Sequence, residues 1–204
     1  MFLLTFAIFF LIELFKGGEK KSGEQGEKDV IAQLSMLSKE KYILLNDIML
    51  ETSHGTTSQI DHVIVSKLGI FPIETKNYSG FIRGREDDKE WTQDMLTHEN
   101  KFYNPIKQNT SHVNALKDVL GIKENNVFRP IVAFSNDCVL DVDTESPVVY
   151  IKNLCATVED YYAEKLAQED VDRIIKTLKE KNITSKTKRK QHNRFVAEKK
   201  KCLE

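Results

Sequence analysis

Two carboxylates and one lysine lie on two apolar segments that are joined by a short turn. Asp61 belongs to the first segment, SQIDHVIVS, and Glu74 and Lys76 belong to the second, IFPIETKN. Two carboxylates can bind a hard divalent cation such as Mg²⁺, and a neighbouring ammonium can neutralise charge that develops on a phosphate. These residue types predict a metal site for phosphodiester chemistry. The alternative is a buried ion pair within a sheet.

The turn between the two segments decides whether the three side chains meet. Both segments are rich in β-branched and apolar residues, which predicts two adjacent antiparallel strands. Glu74 and Lys76 share a face because they are two residues apart, roughly 7 Å along a strand. A two-residue loop within residues 67–69 places Asp61 opposite one of them and on their face. A regular three-residue loop would turn Asp61 to the other face, and a bulge at Gly69 would change the count.

Helical patterns flank the two strands and carry further polar residues. Upstream, Glu27 falls near the start of a pattern that extends over residues 26–37. The apolar positions of this pattern recur at helical spacing: Val30, Ile31, Leu34 and Leu37. Downstream, Asn104-Pro105 is typical of a helix start, and Gln108 follows one turn later. Each feature alone is weak, because an acid in a first helical turn commonly only complements the helix dipole.

Together these segments resemble the nuclease-related domain (NERD) family, a branch of the PD-(D/E)xK restriction-endonuclease-like superfamily. The matching pieces are, in chain order, Gly26-Glu27, QIDHVIV from Gln59, Gly69-Ile70-Phe71, IETKNYSG from Ile73, and Asn104-Pro105 with Gln108. They lie within residues 23–121. The run IETKNYSG after a QIDH strand is too specific to be a chance match.

The resemblance implies an α/β fold with a restriction-endonuclease-like central mixed sheet flanked by helices. It implies that Asp61 and Glu74 bind the metal, Mg²⁺ or Mn²⁺, and that Lys76 is the catalytic lysine. Glu27 and Gln108 would be supporting residues of the catalytic site. These roles come from the family pattern and are expectations for this chain.

Other segments predict elements that complete the domain. Strands are predicted over residues 42–50, 81–85, around 91, 130–135 and 148–151, and helices over 158–166 and 170–181. Thr157 is the predicted N-cap of the first of these helices, with Asp160 at its third position. Pro72 departs from the family pattern, because a central strand usually carries a backbone donor there. We interpret Pro72 as an edge position or a local irregularity.

The three cysteines, Cys138, Cys155 and Cys202, show no paired spacing. Neither a disulfide framework nor a complete zinc site is indicated, which fits a reducing cytosol. We expect Cys202 to be a lone surface cysteine, against the alternative that it begins the zinc ribbon that sometimes follows this domain in the family. The histidines form no zinc-binding motif, and His62, opposite in phase to Asp61, is interpreted as a packing residue.

The N-terminal residues 1–15 are apolar except for Thr5 and Glu13. A helix of this length spans about 22 Å, which is shorter than the ~30 Å hydrocarbon core. Extension through the glycines at 17 and 18 with local bilayer thinning closes the gap. The lysines that follow favour a cytoplasmic position for the rest of the chain. We therefore predict a single-pass transmembrane anchor in the cell membrane, against a buried or self-associating apolar helix.

The formal net charge of −1 conceals an uneven distribution. The C-terminal residues 181–204 are strongly basic and include KTKRK and EKKK. Such a tail binds nucleic acid phosphates or an anionic membrane surface, and the alternative is a solvated helix end. The predicted organisation is a membrane segment over 1–15, a linker over 16–22, the nuclease-related core over 23–135, its completing elements over 136–180, and the tail over 181–204.

The predicted function is a metal-dependent nuclease, tethered to the membrane, that acts on DNA in preference to RNA. One alternative is a non-catalytic module that retains the nuclease-like fold to bind nucleic acid or to assemble at the membrane. Another is an intact site whose role is regulatory assembly. The trio Asp61, Glu74 and Lys76 favours the enzyme, because a binding scaffold has no chemical need for it.

Overall fold

The computed structural model describes residues 23–201, a mixed α/β fold in which two mixed sheets are flanked by helices. The helices are α1 (Gly23–Leu34), α2 (Pro105–Leu120), α3 (Leu154–Glu159), α4 (Gln168–Lys181) and α5 (Lys186–Lys201). The strands are β1 (Ile43–Glu51), β2 (Thr57–Ser66), β3 (Gly69–Lys76), β4 (Gly80–Arg85), β5 (Glu90–Asp94), β6 (Glu99–Tyr103), β7 (Ile131–Phe134), β8 (Cys138–Asp143) and β9 (Val148–Tyr150). The predicted membrane segment over residues 1–15 lies outside the described residues. Within residues 23–201, no helix is both long and apolar enough to cross a bilayer.

The first sheet has the order β1-β2-β3-β7-β9, antiparallel from β1 to β3 and parallel from β3 to β9. The second sheet has the order β6-β5-β4-β8, in which only β4 and β8 are parallel. The prediction of one central sheet was therefore incomplete. The chain enters the second sheet at Gly80, the first residue of β4, whose φ is 79°. A Cβ at Gly80 would collide with the backbone oxygen of Asp94, so only glycine fits this turn.

A two-residue loop joins β2 to β3, as the shared face of the three polar residues requires. Ser66 pairs with Gly69, and His62 pairs with Ile73. One step further along this register, Asp61 lies opposite Glu74. The parity prediction is thereby confirmed for the loop that consists of Lys67 and Leu68.

The first sheet is covered on both faces. Helices α2 and α4 pack on one face through buried residues that include Leu116 and Ile174. Helices α1 and α3 pack on the other face through Val30 and Leu154. Because β2 and β3 are buried on both faces, a one-residue slip would exchange two well-packed surfaces. The register that brings Asp61 to Glu74 is thus set by the whole core.

Pro72 lies in a central strand, so its interpretation as an edge residue was wrong. It pairs with Val63 of β2, and β3 has β7 on its other side. The ladder between β3 and β7 is interrupted between an isolated Ile70–Phe128 bridge and the Ile73–Ile131 pair. The Nδ2 of Asn109 fills this interval, because it donates to the carbonyl oxygens of Pro72 at 3.0 Å and Ile131 at 2.9 Å. The alternative of a local irregularity is the correct one.

The predicted helix over residues 158–166, with its start at Thr157, was also wrong. Thr157 lies inside α3, where its hydroxyl donates to the carbonyl of Asn153 at 3.1 Å. Helix α3 ends at Glu159, so Asp160 is not in its first turn. The predicted strands over 42–50, 81–85, 130–135 and 148–151 and the helix over 170–181 correspond to β1, β4, β7, β9 and α4 with shifted ends.

Candidate active site

Helix α2 is placed against the sheet by the residue that precedes it. Asn104 is buried, and its Oδ1 accepts hydrogen bonds from the backbone N–H of Ile106 at 2.9 Å and of Lys107 at 3.4 Å. Its Nδ2 donates to backbone carbonyls of the β4–β5 turn, including Asp88 at 2.8 Å. Asn104 therefore caps α2 and ties its start to the second sheet. Gln108 follows one turn into the helix.

The Glu74 carboxylate is the centre of the site and is only 2% exposed. Its Oε1 accepts a hydrogen bond from Lys76 Nζ at 2.7 Å, and its Oε2 lies 3.0 Å from His112 Nε2. Lys76 Nζ also donates to Gln108 Oε1 at 3.0 Å. Strand β3 supplies the acid and the lysine, and α2 supplies the other two groups because positions 108 and 112 are one turn apart.

The charges of Glu74 and Lys76 stabilise each other. Burial alone would raise the pKa of Glu74, but the Lys76 ammonium and the hydrogen bond with His112 outweigh burial and lower this pKa. Burial alone would lower the pKa of Lys76, but the Glu74 carboxylate reverses the effect and raises it. Lys76 is therefore an ammonium at neutral pH and cannot accept a proton.

Asp61 is the second acid of the site and is held in a different electrostatic state. Burial, and then the charge of Glu74, raise the pKa of Asp61 to about 8. Its Oδ2 accepts the backbone N–H of Thr75 at 2.9 Å, which partly opposes this shift. Its Oδ1 accepts no hydrogen bond from the described residues. Asp61 thus offers an oxygen that has no donor within residues 23–201, beside a carboxylate that is already charged.

His112 is a site residue that the sequence reasoning missed. It is 6% exposed and joins Glu74 to Ser58, whose Oγ lies 2.8 Å from His112 Nδ1. A carboxylate only accepts hydrogen bonds, so Nε2–H must donate to Glu74, and in the neutral ring Nδ1 then accepts the Ser58 hydroxyl. The available signal was its position four residues after Gln108.

Glu27 reaches the site through a close contact between α1 and β3. Gly26 is buried, and a Cβ there would lie 2.7 Å from the Cβ of Asn77 and 3.4 Å from Cγ2 of Thr75. Burial, and then the charges of Asp47, Glu24 and Glu74 in that order, raise the pKa of Glu27. Glu27 therefore adds negative potential at the site without direct contact with Lys76.

Asp47 is a third acid at the level of Asp61 and Glu74, and the sequence reasoning missed it as well. In the register of β1 and β2, Asn46 pairs with His62 and Ile48 with Ile60, so Asp47 lies across from Asp61. Its φ of 53° takes it out of extended geometry. Such a left-handed backbone is uncommon for a residue with a side chain, although aspartate tolerates it better than most.

The remaining candidate ligands lie elsewhere. His62 is buried, its Nδ1 is 2.8 Å from Asn46 Oδ1, and burial lowers its pKa to about 4, as suits a neutral packing residue. Cys138 and Cys155 are free thiols, and Cys202 lies outside the described residues. Among residues 23–201, no three or more His, Cys, Asp or Glu side chains are grouped so as to hold a metal ion.

Comparison with known proteins gives two matches that include these residues. The family model described as nuclease-related domain matches residues 22–135, more than half of the chain. An uncharacterized protein of Bacillus anthracis is 33% identical over 181 residues, which cover 87% of this chain and 84% of the relative. The family is consistent with the PD-(D/E)xK superfamily. The family match covers more than half of the chain and includes the run IETKNYSG. The chain therefore belongs to the nuclease-related domain family.

Proposed function

We propose that the protein is a metal-dependent nuclease that hydrolyses phosphodiester bonds, with Asp61 and Glu74 as the metal ligands. The observation that carries this proposal is the β2–β3 register, which brings the carboxyl groups of two opposed strands, the buried Glu74 and the half-buried Asp61, together beside a charged lysine. A structural ion pair needs one acid and one base. The second acid, Asp61, forms no ion pair with any residue that the structure describes, and it raises the electrostatic cost of the site.

The donor set fits Mg²⁺ or Mn²⁺. Both ions prefer carboxylate oxygens, and Mg²⁺ usually takes only one or two of them, together with water and phosphate oxygens. Two carboxylates at the site are therefore sufficient, and the unpartnered Oδ1 of Asp61 is a suitable ligand atom. When bound, such an ion polarises the phosphodiester and lowers the pKa of a coordinated water.

Lys76 acts as a fixed positive charge in this proposal. Its raised pKa removes it as a general base. An ammonium has three donors, and two of them are used by Glu74 and Gln108. The third is available to a phosphate oxygen, where it stabilises the charge that develops during hydrolysis. Gln108 orients the ammonium, and Glu27 supports the site through its charge.

We further propose that the five-stranded sheet is the restriction-endonuclease-like core of the protein, with DNA as the preferred substrate over RNA. Residues 1–15 would anchor the chain in the cell membrane and leave the catalytic domain in the cytoplasm. The apolar composition of this segment and the lysines after it support that assignment.

The test is cleavage by the full chain, purified in a non-ionic detergent. Plasmid DNA, single-stranded DNA and RNA are incubated with Mg²⁺, with Mn²⁺ or with EDTA. We expect cleavage that requires the ion, and its loss by at least about 100-fold in each of Asp61→Asn, Glu74→Gln and Lys76→Met. Asp141→Asn, at an exposed position of β8, is the matched control. Absence of cleavage on all substrates, or full cleavage by Asp61→Asn, would overturn the proposal.

A further inference from the structure

The basic C-terminal segment is held on the outer edge of the first sheet. The backbone N–H of Ile183 donates to Met49 O at 2.8 Å, and Asn182 Oδ1 accepts the Met49 N–H at 3.0 Å. These two bonds cover the open edge of β1. The guanidinium of Arg189 in α5 then donates to both carboxylate oxygens of Asp47 at 2.6 Å and to its carbonyl oxygen at 2.9 Å. The start of α5 is therefore docked.

The docking points lie beside the candidate site. Asp47, Asp61 and Glu74 occupy one level of three adjacent strands, and opposed residues of neighbouring strands are about 5 Å apart. Arg189 binds Asp47, the outermost of these three acids. His192 Nδ1 lies 2.7 Å from Thr57 Oγ1, and the next residue of that strand is the serine that contacts His112. Helix α5 thus forms one side of the approach to Glu74.

The exposed side of α5 carries free cations. Lys186, Lys190 and Arg194 recur every four residues, about 6 Å apart along the helix, and the row begins three residues before the docked Arg189. All three are exposed, and within residues 23–201 no ion pair forms with any of them. The site itself carries the carboxyl groups of Glu27, Asp61 and Glu74. A polyanion needs compensating cations to come close to such a site.

We propose that α5 is a phosphate-binding wall of the site, in which Lys186, Lys190 and Arg194 bind the backbone of the nucleic acid strand that is cleaved at Asp61 and Glu74. Arg189 and His192 position the helix for this role. This inference rests on the proposed nuclease function. A nucleic acid is a better occupant than a membrane surface, because the docking contacts place the cations beside the carboxylates.

The test measures binding apart from cleavage. Fluorescent single-stranded and duplex DNA of several sequences are titrated with the full chain in non-ionic detergent, in EDTA, over a range of salt concentrations. The variant carries Lys186→Gln, Lys190→Gln and Arg194→Gln. The matched control carries the same charge change at three exposed lysines outside α5: Lys39→Gln, Lys41→Gln and Lys123→Gln.

We expect the α5 variant to bind at least about tenfold more weakly at 0.1 M salt, alike for all sequences, and its log–log salt slope to fall by about 2–3. The control should bind like the parent. Arg189→Gln retains the three cations and should lower kcat/KM for cleavage by more than it lowers the salt slope, because the helix is no longer held at the site. Thermal unfolding verifies that each variant is folded.

Unchanged affinity and slope in the α5 variant would overturn the inference. So would a loss confined to binding of vesicles that contain phosphatidylserine, which would assign the cations to the membrane surface. The two proposals fail separately. Binding that depends on α5 without any cleavage would contradict the nuclease function only, whereas cleavage that is indifferent to α5 would contradict this inference only.

Discussion

At the scale of single residues, the two acids of the site, Glu74 and Asp61, differ in ionisation because their surroundings differ. Glu74 has a lysine and a histidine as hydrogen-bond partners, so its charge is compensated inside the protein. Asp61 has one backbone N–H as its hydrogen-bond donor, and burial and then the charge of Glu74 make its ionisation costly. A cation would remove that cost. The stability of the metal-free protein should therefore reveal the state of Asp61.

We predict that Asp61→Asn stabilises the metal-free protein at pH 8. The pKa of Asp61 is about 8 in the folded chain and has a reference value of 3.8, so between these values the folded state holds a proton that the unfolded state releases. The free energy of unfolding of the parent should thus fall as pH rises from about 4 to about 8, by up to ~1.4 kcal/mol per pH unit from this group. Urea unfolding in EDTA measures the difference between parent and variant.

Asp61→Asn should lack this part of the pH dependence. At pH 8 its free energy of unfolding should exceed that of the parent by on the order of a few kcal/mol. Asp118→Asn is the control with the opposite sign, because hydrogen bonds from Ser53 lower the pKa of Asp118. Parallel pH profiles of the parent and Asp61→Asn would contradict the prediction.

A second residue-scale prediction concerns His112. Its Nε2–H holds one oxygen of Glu74, and loss of such a partner of a metal ligand typically weakens metal binding by about 10–100-fold. His112→Ala should raise the Mg²⁺ concentration for half-maximal cleavage in this range. Ser58→Ala should have a smaller effect in the same direction. The exposed His98→Ala should have none, and an unchanged Mg²⁺ requirement in His112→Ala would remove the proposed role.

At the scale of elements, the site depends on how closely the helices approach β3. Helix α2 does so from one face through Asn109, which donates to the carbonyl oxygen of Pro72, and α1 does so from the other through Gly26. Neither contact is a catalytic group. Both contacts set the positions of the site side chains on the same helix, because a helix moves as a unit.

We predict that Gly26→Ala lowers both stability and cleavage. The new Cβ would lie 2.7 Å from Asn77 Cβ, and that atom cannot move without the β3 backbone. Overpacking of this kind costs about 1–3 kcal/mol, more than the ~1 kcal/mol that alanine gains over glycine in a helix. Gly23→Ala in the same helix has no atom within 4 Å of the new Cβ and is the matched control.

Urea unfolding and Mg²⁺-dependent cleavage measure the two effects. The displaced α1 should move Glu27 and reduce cleavage, while Gly23→Ala should retain it. A Gly26→Ala protein as stable as Gly23→Ala would show that α1 adapts without cost.

At the scale of the whole molecule, the chain joins an apolar N-terminal segment to a polar, folded domain. Within the described residues 23–201, no helix is long and apolar enough to cross a bilayer. The apolar residues 1–15 are the anchor that we propose. The basic α5 offers a second, electrostatic attachment that salt can weaken. The two modes can be distinguished by extraction.

We predict that the full chain fractionates with membranes and resists extraction by high salt, because apolar insertion is insensitive to ionic strength. A chain that begins at Ser22 should be in the soluble fraction. The control is the full chain with Lys186→Gln, Lys190→Gln and Arg194→Gln, which should remain with the membranes. A full chain that is wholly soluble, or one released by salt, would contradict the anchor.

The sequence by itself determined that Glu74 and Lys76 share a face, and that Asp61 joins them if the loop before β3 has two residues. Strand side chains alternate with a period of two, and a two-residue loop leaves only one parity, so local geometry suffices. The start of α2 at Asn104-Pro105 and the apolar faces of α1 and α4 are local in the same way.

Only the tertiary structure decided which distant groups reach these residues. His112 and Glu74 are 38 positions apart, and Arg189 and Asp47 are 142 apart. The departure of β4 to β6 into a second sheet, the central place of Pro72 and the docking of α5 likewise depend on contacts between remote segments. Such contacts follow from how the whole core packs, and no local spacing encodes them, because the same helix or tail could face solvent without violating its own pattern.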